Sequence, residues 1–307
     1  MPSPLRLGGR PQAPAPHDHD QGLQHDLQAI EAQRSRRQAV LWLGALAGYG
    51  ALPLVGCGGG GDAGSSTSNS SSTVSSDSTS TSTTTTNTST SSCSVINEET
   101  AGPYPGDGSN TANGSVANAL ALSGIVRSDI RSSVGSASGT AAGLPLTITL
   151  KLVNVNNSCA SLAGYAVYLW HCTRDGKYSL YSSGVTGENY LRGVQETDSN
   201  GELSFTTIFP GCYSGRMPHM HFEVYRSLTT ATSYSNKLKT SQIAFDRSIC
   251  SEVYSSVSGY SASVSNLAAI TFATDNVFSD GYTLELASLS GNTTDGYTAT
   301  LTVGISV

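Results

Sequence analysis

Two histidines and two tyrosines carry the strongest chemical signal in this chain. His219 and His221 lie in Arg216-Met217-Pro218-His219-Met220-His221-Phe222-Glu223-Val224-Tyr225, where Met220, Phe222 and Val224 are apolar. A strand turns successive side chains to opposite faces, so both imidazoles share one face with apolar residues behind them. Two imidazoles at that spacing can bind one ion together. Taken alone, a His-x-His pair is as well explained by an exposed strand face. The tyrosines supply context: Phe209-Pro210-Gly211-Cys212 makes a turn that delivers Tyr213 beside the same strand, and Trp170-His171-Cys172-Thr173-Arg174-Asp175-Gly176-Lys177-Tyr178 places Tyr178 just past another strand end. Tyrosine ligates chiefly as phenolate, which suits a hard, Lewis-acidic ion such as Fe(III) better than zinc.

Those donors need a rigid frame. The run 146–152 alternates cleanly, and similar short strands are expected at 166–170, 203–208, 220–225, 269–273, 282–287 and 298–303. No convincing amphipathic helix separates them. With turns at Asp198-Ser199-Asn200-Gly201, Asp280-Gly281 and Asp295-Gly296, the pattern predicts an all-β, antiparallel β-sandwich over residues 93–307, a segment long enough for one sizeable core. Five cysteines follow Cys57: Cys93, Cys159, Cys172, Cys212 and Cys250. An odd number leaves at least one unpaired within a monomer, so up to two bridges are expected, with the pairing open.

Ahead of that domain stand three segments of different character. The cluster Arg34-Ser35-Arg36-Arg37 leads into an apolar run beginning at Ala39 and closing at Leu54-Val55-Gly56-Cys57. This resembles a twin-arginine export signal ending in a lipobox, with Cys57 lipidated and the new N-terminus. The run is short of the roughly 20 residues a membrane span needs and carries Pro53 near its end. Residues 1–57 are therefore read as a lipoprotein signal peptide. Residues 58–92, almost entirely Gly, Ser and Thr, form a tether unable to bury enough apolar surface to order itself. The expected location is outside the cytoplasm, held to a bacterial envelope by lipid alone. His17, His19 and His25 leave with the signal, so the mature chain keeps only His171, His219 and His221. A net charge of −6 offers no basic surface for nucleic acid.

The run 167–224 resembles the core of the intradiol ring-cleavage dioxygenases, the family of catechol 1,2-dioxygenases and protocatechuate 3,4-dioxygenases, and most of all its exported single-domain branch. The matching elements are Val167-Tyr168-Leu169-Trp170-His171-Cys172 with Gly176-Lys177-Tyr178, then Leu191-Arg192-Gly193-Val194-Gln195, Thr197-Asp198-Ser199-Asn200-Gly201, and Pro210-Gly211-Cys212-Tyr213 with Arg216 and Pro218-His219-Met220-His221-Phe222. Thr100-Ala101-Gly102-Pro103-Tyr104 and Ser241-Gln242-Ile243 extend the likeness. The resemblance implies a non-haem Fe(III) site with Tyr178 and His219 equatorial and Tyr213 and His221 axial. Tyr213 would leave the metal and take a substrate proton. Arg216 and Gln242 would line the pocket, Arg216 stabilising negative charge on the ring, and Tyr104 would sit at the pocket mouth. Substrates would be a small aromatic diol and O2, and the product a cis,cis-muconate. Catechols from lignin or the environment are expected from location alone. The helical dimerisation region of catechol 1,2-dioxygenases has no counterpart, and the loop from Gly211 to Pro218 lacks the insertion of protocatechuate enzymes, so an open pocket is expected.

Two rivals remain at this stage. A zinc hydrolase could use His219 and His221, but no His-Glu-x-x-His or third His with a carboxylate at suitable spacing supports it. A non-catalytic β-sandwich binding module would have no reason to retain all four donors.

Overall fold

The computed structural model describes residues 93–307; the segments read as an export signal and a tether, with Cys57, lie outside the described residues. Eleven strands appear among those residues. A hairpin of β1 (Asp107–Ala112) and β2 (Ser115–Asn118) precedes β3 (Pro145–Asn154), β4 (Ala160–Ser161), β5 (Ala166–Trp170), β6 (Arg192–Glu196), β7 (Glu202–Ile208), β8 (His219–Tyr225) and β9 (Lys237–Ala244). Two helices follow, α1 (Arg247–Ser256) and α2 (Ser261–Ala268), and then β10 (Ser288–Asn292) and β11 (Gly296–Ile305).

One sheet runs β10-β11-β3-β4 with β7 also on β3; the other runs β6-β5-β8-β9. The core lies between them. Leu146, Ile148, Leu150 and Leu152 of β3 meet Val167 and Leu169 of β5 and Met220, Phe222 and Val224 of β8. Each buried leucine contributes about 1.5–3 kcal/mol by leaving water. Alternation explains why β3 keeps Thr147, Thr149 and Lys151 outward. In β5 and β8, by contrast, every residue is buried. A second apolar cluster accounts for this: Tyr104, Ala112, Ala117 and Leu120 of the N-terminal segment cover Tyr168, Trp170 and Tyr225 on the outer face of the β5–β8 sheet. That covered outer face is the one that holds the histidines.

The all-β sandwich stands, with three local corrections. The pair β11–β3 is parallel, in register from Tyr297 opposite Leu146 to Ile305 opposite Asn154. A parallel neighbour needs a long crossover, which the intervening chain supplies. The expected absence of helices fails at α1 and α2. Asp246 caps α1 by accepting from Ser248 N (2.8 Å) and Ile249 N (3.2 Å), and Cys250, Val253 and Tyr254 form its buried stripe. The expected strands at 269–273 and 282–287 are turns, bent where Asp275 N donates to Thr271 O (2.9 Å) and Glu285 N to Tyr282 O (2.9 Å), apart from one parallel bridge of Leu286 to Ala244 of β9. Phe272 and Tyr282 stack on each other at 3.7 Å instead of pairing into a sheet. One disulfide forms, Cys93–Cys159, while Cys172, Cys212 and Cys250 are buried thiols.

Candidate metal centre and active site

Strand β8 carries His219 and His221 between β5 and β9, with Trp170 and Gln242 directly opposite His221. The Trp170 indole stacks on the His221 imidazole at 5.0 Å and 5°, and Tyr168 stacks behind Trp170 at 5.0 Å. This fixes the His221 ring by packing. His219 is fixed by a bond: its Nδ1–H donates to Met217 O at 2.6 Å, which leaves Nε2 as a lone pair.

Two loops bring the tyrosines to that face. Tyr178 follows β5, and its turn closes through Tyr178 N donating to Ser182 Oγ (2.9 Å) and Ser182 N to Tyr178 O (2.9 Å). The loop from Phe209 to Arg216 packs against the Tyr178 loop so closely that a Cβ on Gly211 would fall 2.6 Å from Arg174 O and 2.7 Å from Thr173 O. Glycine is required for that approach. The helices hold the other side of this loop. Tyr254 and Tyr260 hydroxyls donate to Pro210 O (2.9 Å) and Phe209 O (2.7 Å), Cys212 N donates to Ser263 Oγ (2.9 Å), and Asn266 Nδ2 to Cys212 O (2.8 Å). Both helices thus serve to seat Tyr213.

The four donors converge. His219 Nε2 lies 3.1 Å from His221 Nε2 and 3.2 Å from Tyr213 Oη, while the Tyr178 ring stands 5.9 Å from that of Tyr213 and 6.2 Å from His221. Tyr178 is 1% exposed and its Oη has no hydrogen-bond partner. Burial holds both imidazoles well below their ordinary range, with Arg216 adding to the effect, so they are neutral bases. Burial, and then the adjacent Tyr213, pushes the Tyr178 phenol well above its ordinary range, with Arg216 opposing. Among the described residues no three His, Cys, Asp or Glu side chains gather as a metal site.

Around the donors stand the other expected residues. Arg216 Nη2 donates to Gln242 Oε1 at 2.7 Å, and Gln242 Nε2 to Thr100 O at 2.9 Å. Burial would lower the Arg216 pKa, but Asp275 and the two phenols outweigh it and hold it above its ordinary value. Tyr104 packs on Tyr178 at 4.9 Å between ring centroids. Gly102, at φ +68°, comes so near His221 that a Cβ there would lie 3.3 Å from Cε1. His171 stands apart: Nδ1 and Nε2 are bonded to Cys172 O (2.8 Å) and Thr207 Oγ1 (2.7 Å), and burial lowers its pKa to about 4. Glu223 and Tyr225, further along the histidine face, bond each other at 2.6 Å.

Two neighbours went unrecognised in the sequence. Asp275 accepts from Arg216 Nε at 3.0 Å, from just beyond the segment 269–273 that was read as a strand. Arg192, 1% exposed, donates to Tyr104 O (3.0 Å), Pro105 O (2.7 Å) and Ser179 O (3.0 Å). The matched Leu191-Arg192-Gly193 element pointed to Arg192 without a role; for Asp275 no local signal existed.

A family model described as Dioxygenase matches residues 127–246, which include Tyr178, Tyr213, Arg216, His219, His221 and Gln242. An intradiol ring-cleavage dioxygenase from Tetranychus urticae is 26% identical, with a TM-score of 0.51, over 70% of this chain and 95% of that one. The dioxygenase domain of a carbohydrate-binding fusion from Streptomyces sp. SirexAA-E is 21% identical, with a TM-score of 0.38, over 59% of this chain and 88% of that one. A 3-chlorocatechol 1,2-dioxygenase from Rhodococcus opacus 1CP is 16% identical, with a TM-score of 0.41, over 68% of this chain and 71% of that one. A search of curated proteins finds no match. The matched model spans the strands and loops that bring Tyr178, Tyr213, His219 and His221 together, and the chain is similar to an intradiol ring-cleavage dioxygenase over nearly the whole of that enzyme.

Proposed function

We propose that this enzyme uses non-haem Fe(III) and O2 to cleave a catechol-type ring between its two hydroxyl-bearing carbons, giving a cis,cis-muconate-type product. The observation that carries this reading is the convergence of two neutral imidazoles with the Tyr213 phenol beside a buried Tyr178 oxygen that has no hydrogen-bond partner. Such a set fits a hard trivalent cation, whose charge offsets two phenolates that burial alone disfavours. Tyr178, Tyr213, His219 and His221 would hold the ion. When bound, it supplies the Lewis acidity that lets a chelated catechol lose its protons and makes the ring electron-rich enough to meet O2.

Tyr213, half-buried and bonded to His219 Nε2, is the donor suited to leave and take a substrate proton at Oη. Arg216 offers a fixed positive charge for oxyanionic character on the ring. Tyr104 and Gly102, on the segment over the histidine face, exclude water. We further propose that 93–307 is the catalytic domain, exported and displayed on the 58–92 tether from a lipidated Cys57.

The test is the visible spectrum of the iron-loaded protein before and after anaerobic addition of catechol. A broad tyrosinate charge-transfer band that moves to longer wavelength is expected. A colourless protein with one iron bound per chain would overturn the ligand assignment.

A further inference from the structure

Asp275 lies in the turn between α2 and β10, beyond the matched dioxygenase segment, yet its carboxylate sits at the back of the site. It is fully buried, at 0% exposure, and Arg216 is at 2%. Oδ2 accepts Met217 N–H at 2.6 Å and Arg216 Nε–H at 3.0 Å, with Oδ1 3.1 Å from the same nitrogen. Oδ1 also accepts Val277 N (2.8 Å) and Phe278 N (3.2 Å). Carboxylate lone pairs are thereby filled from two separate segments of chain.

We propose that Asp275 is the positioning residue of this site, setting the guanidinium of Arg216 and, through Met217, the ring of His219. The inference rests on the iron-dependent ring-cleavage reading for its kinetic part only. Asp275 grips Nε, and Gln242 takes Nη2 at 2.7 Å, so the plane of the fork is fixed from two sides. With Nε and Nη2 engaged in this way, a substrate would draw on Nη1. Met217 links the second path: its N–H is held by Asp275 and its carbonyl receives His219 Nδ1–H at 2.6 Å. The same carboxylate also seats Phe278, whose ring lies 5.7 Å beneath the Arg216 guanidinium and 6.3 Å from the His219 ring. A pair that only tied the turn to the body would need none of these bonds to converge on the donors.

Two variants of the iron-loaded full chain test this. Asp275→Asn presents an N–H group to donors, and kcat per bound iron is expected to fall about 100-fold, the scale of a roughly 1 Å misplacement, with KM changing far less. The tyrosinate band should also move as His219 loses its anchor. Asp275→Glu keeps the charge but displaces it by one methylene, and about a 10-fold loss in kcat is expected. A merely structural role would lower yield and melting temperature while leaving kcat per bound iron and the band at wild-type values. That result in the asparagine variant, or full activity in the glutamate variant, overturns the proposal.

If the wild-type protein shows neither band nor turnover, the functional reading has failed. The positioning claim is then decided in iron-free protein by the Arg216 Nε–H resonance. Slow exchange in wild type and loss of the signal in Asp275→Asn supports it; an unchanged signal overturns it.

Discussion

The Tyr178 oxygen is buried without a hydrogen-bond partner, and a hydroxyl in that state costs ~1–3 kcal/mol relative to one that is bonded or absent. Burial and Tyr213 oppose its ionisation in the metal-free site, and Arg216 offsets them only in part. Tyr178→Phe is therefore expected to raise the stability of the iron-free protein by ~1 kcal/mol, while weakening iron retention and removing part of the visible band. Denaturant unfolding with and without iron checks both signs. A loss of stability without iron would mean that the phenol is satisfied by an ordered water. That Tyr178, Tyr213, His219 and His221 come together could be expected because each sits in a short local motif, whereas Asp275 joins them only when the turn after α2 folds back on Arg216.

At the scale of elements, strands β5 and β8 were read correctly because alternation or aromatic content marks them, and β3 alternates from Leu146 to Leu152. The helices were missed because serine fills their outer positions and lowers their apparent propensity; the cap at Asp246 and the Cys250, Val253, Tyr254 stripe were the available signals. The runs 269–273 and 282–287 are apolar enough for strands, but their aromatic rings pack on each other and their backbones close into turns. Arg192 shows what sequence pattern alone does not weigh. Its guanidinium joins the segment over the histidine face, through Tyr104 O and Pro105 O, to the loop of Tyr178, through Ser179 O and Oγ. Arg192→Met fills similar volume but leaves those buried carbonyls unbonded, and a loss on the order of 3 kcal/mol is expected. Amide hydrogen exchange should show the loss at Gly106, whose N–H donates to Tyr181 Oη at 2.8 Å, before it appears in the inter-sheet core. Uniform loosening of both would refute the local role.

Across the whole molecule, the N-terminal segment fastens the two sheets together. Cys93 is bridged to Cys159, Ile96 N donates to Gly304 O of β11 (2.9 Å), and Glu99 N to Thr240 O of β9 (2.9 Å). Glu285 is buried where this segment meets the last turn. Asn97 Nδ2 and Ser241 Oγ each reach its carboxyl at 3.4 Å, and Ala244 N donates to its carbonyl at 2.9 Å. Burial first, and then the Glu99 charge, pushes the Glu285 carboxyl up to about 8 from an ordinary 4.5. Between those values the folded chain holds a proton that the unfolded chain has released, so stability must fall as pH rises through this window and level off above it. The effect is opposite in sign to that of a salt-bridged carboxylate. Glu285→Gln mimics the protonated form at every pH and cannot release a proton. Its melting temperature is expected to match wild type near pH 5 and to exceed it by several degrees near pH 8, the gap opening across the window. Thermal unfolding of both proteins at three pH values reads the difference. A gap that is constant with pH would show that the Glu285 carboxyl titrates alike in the folded and unfolded chain.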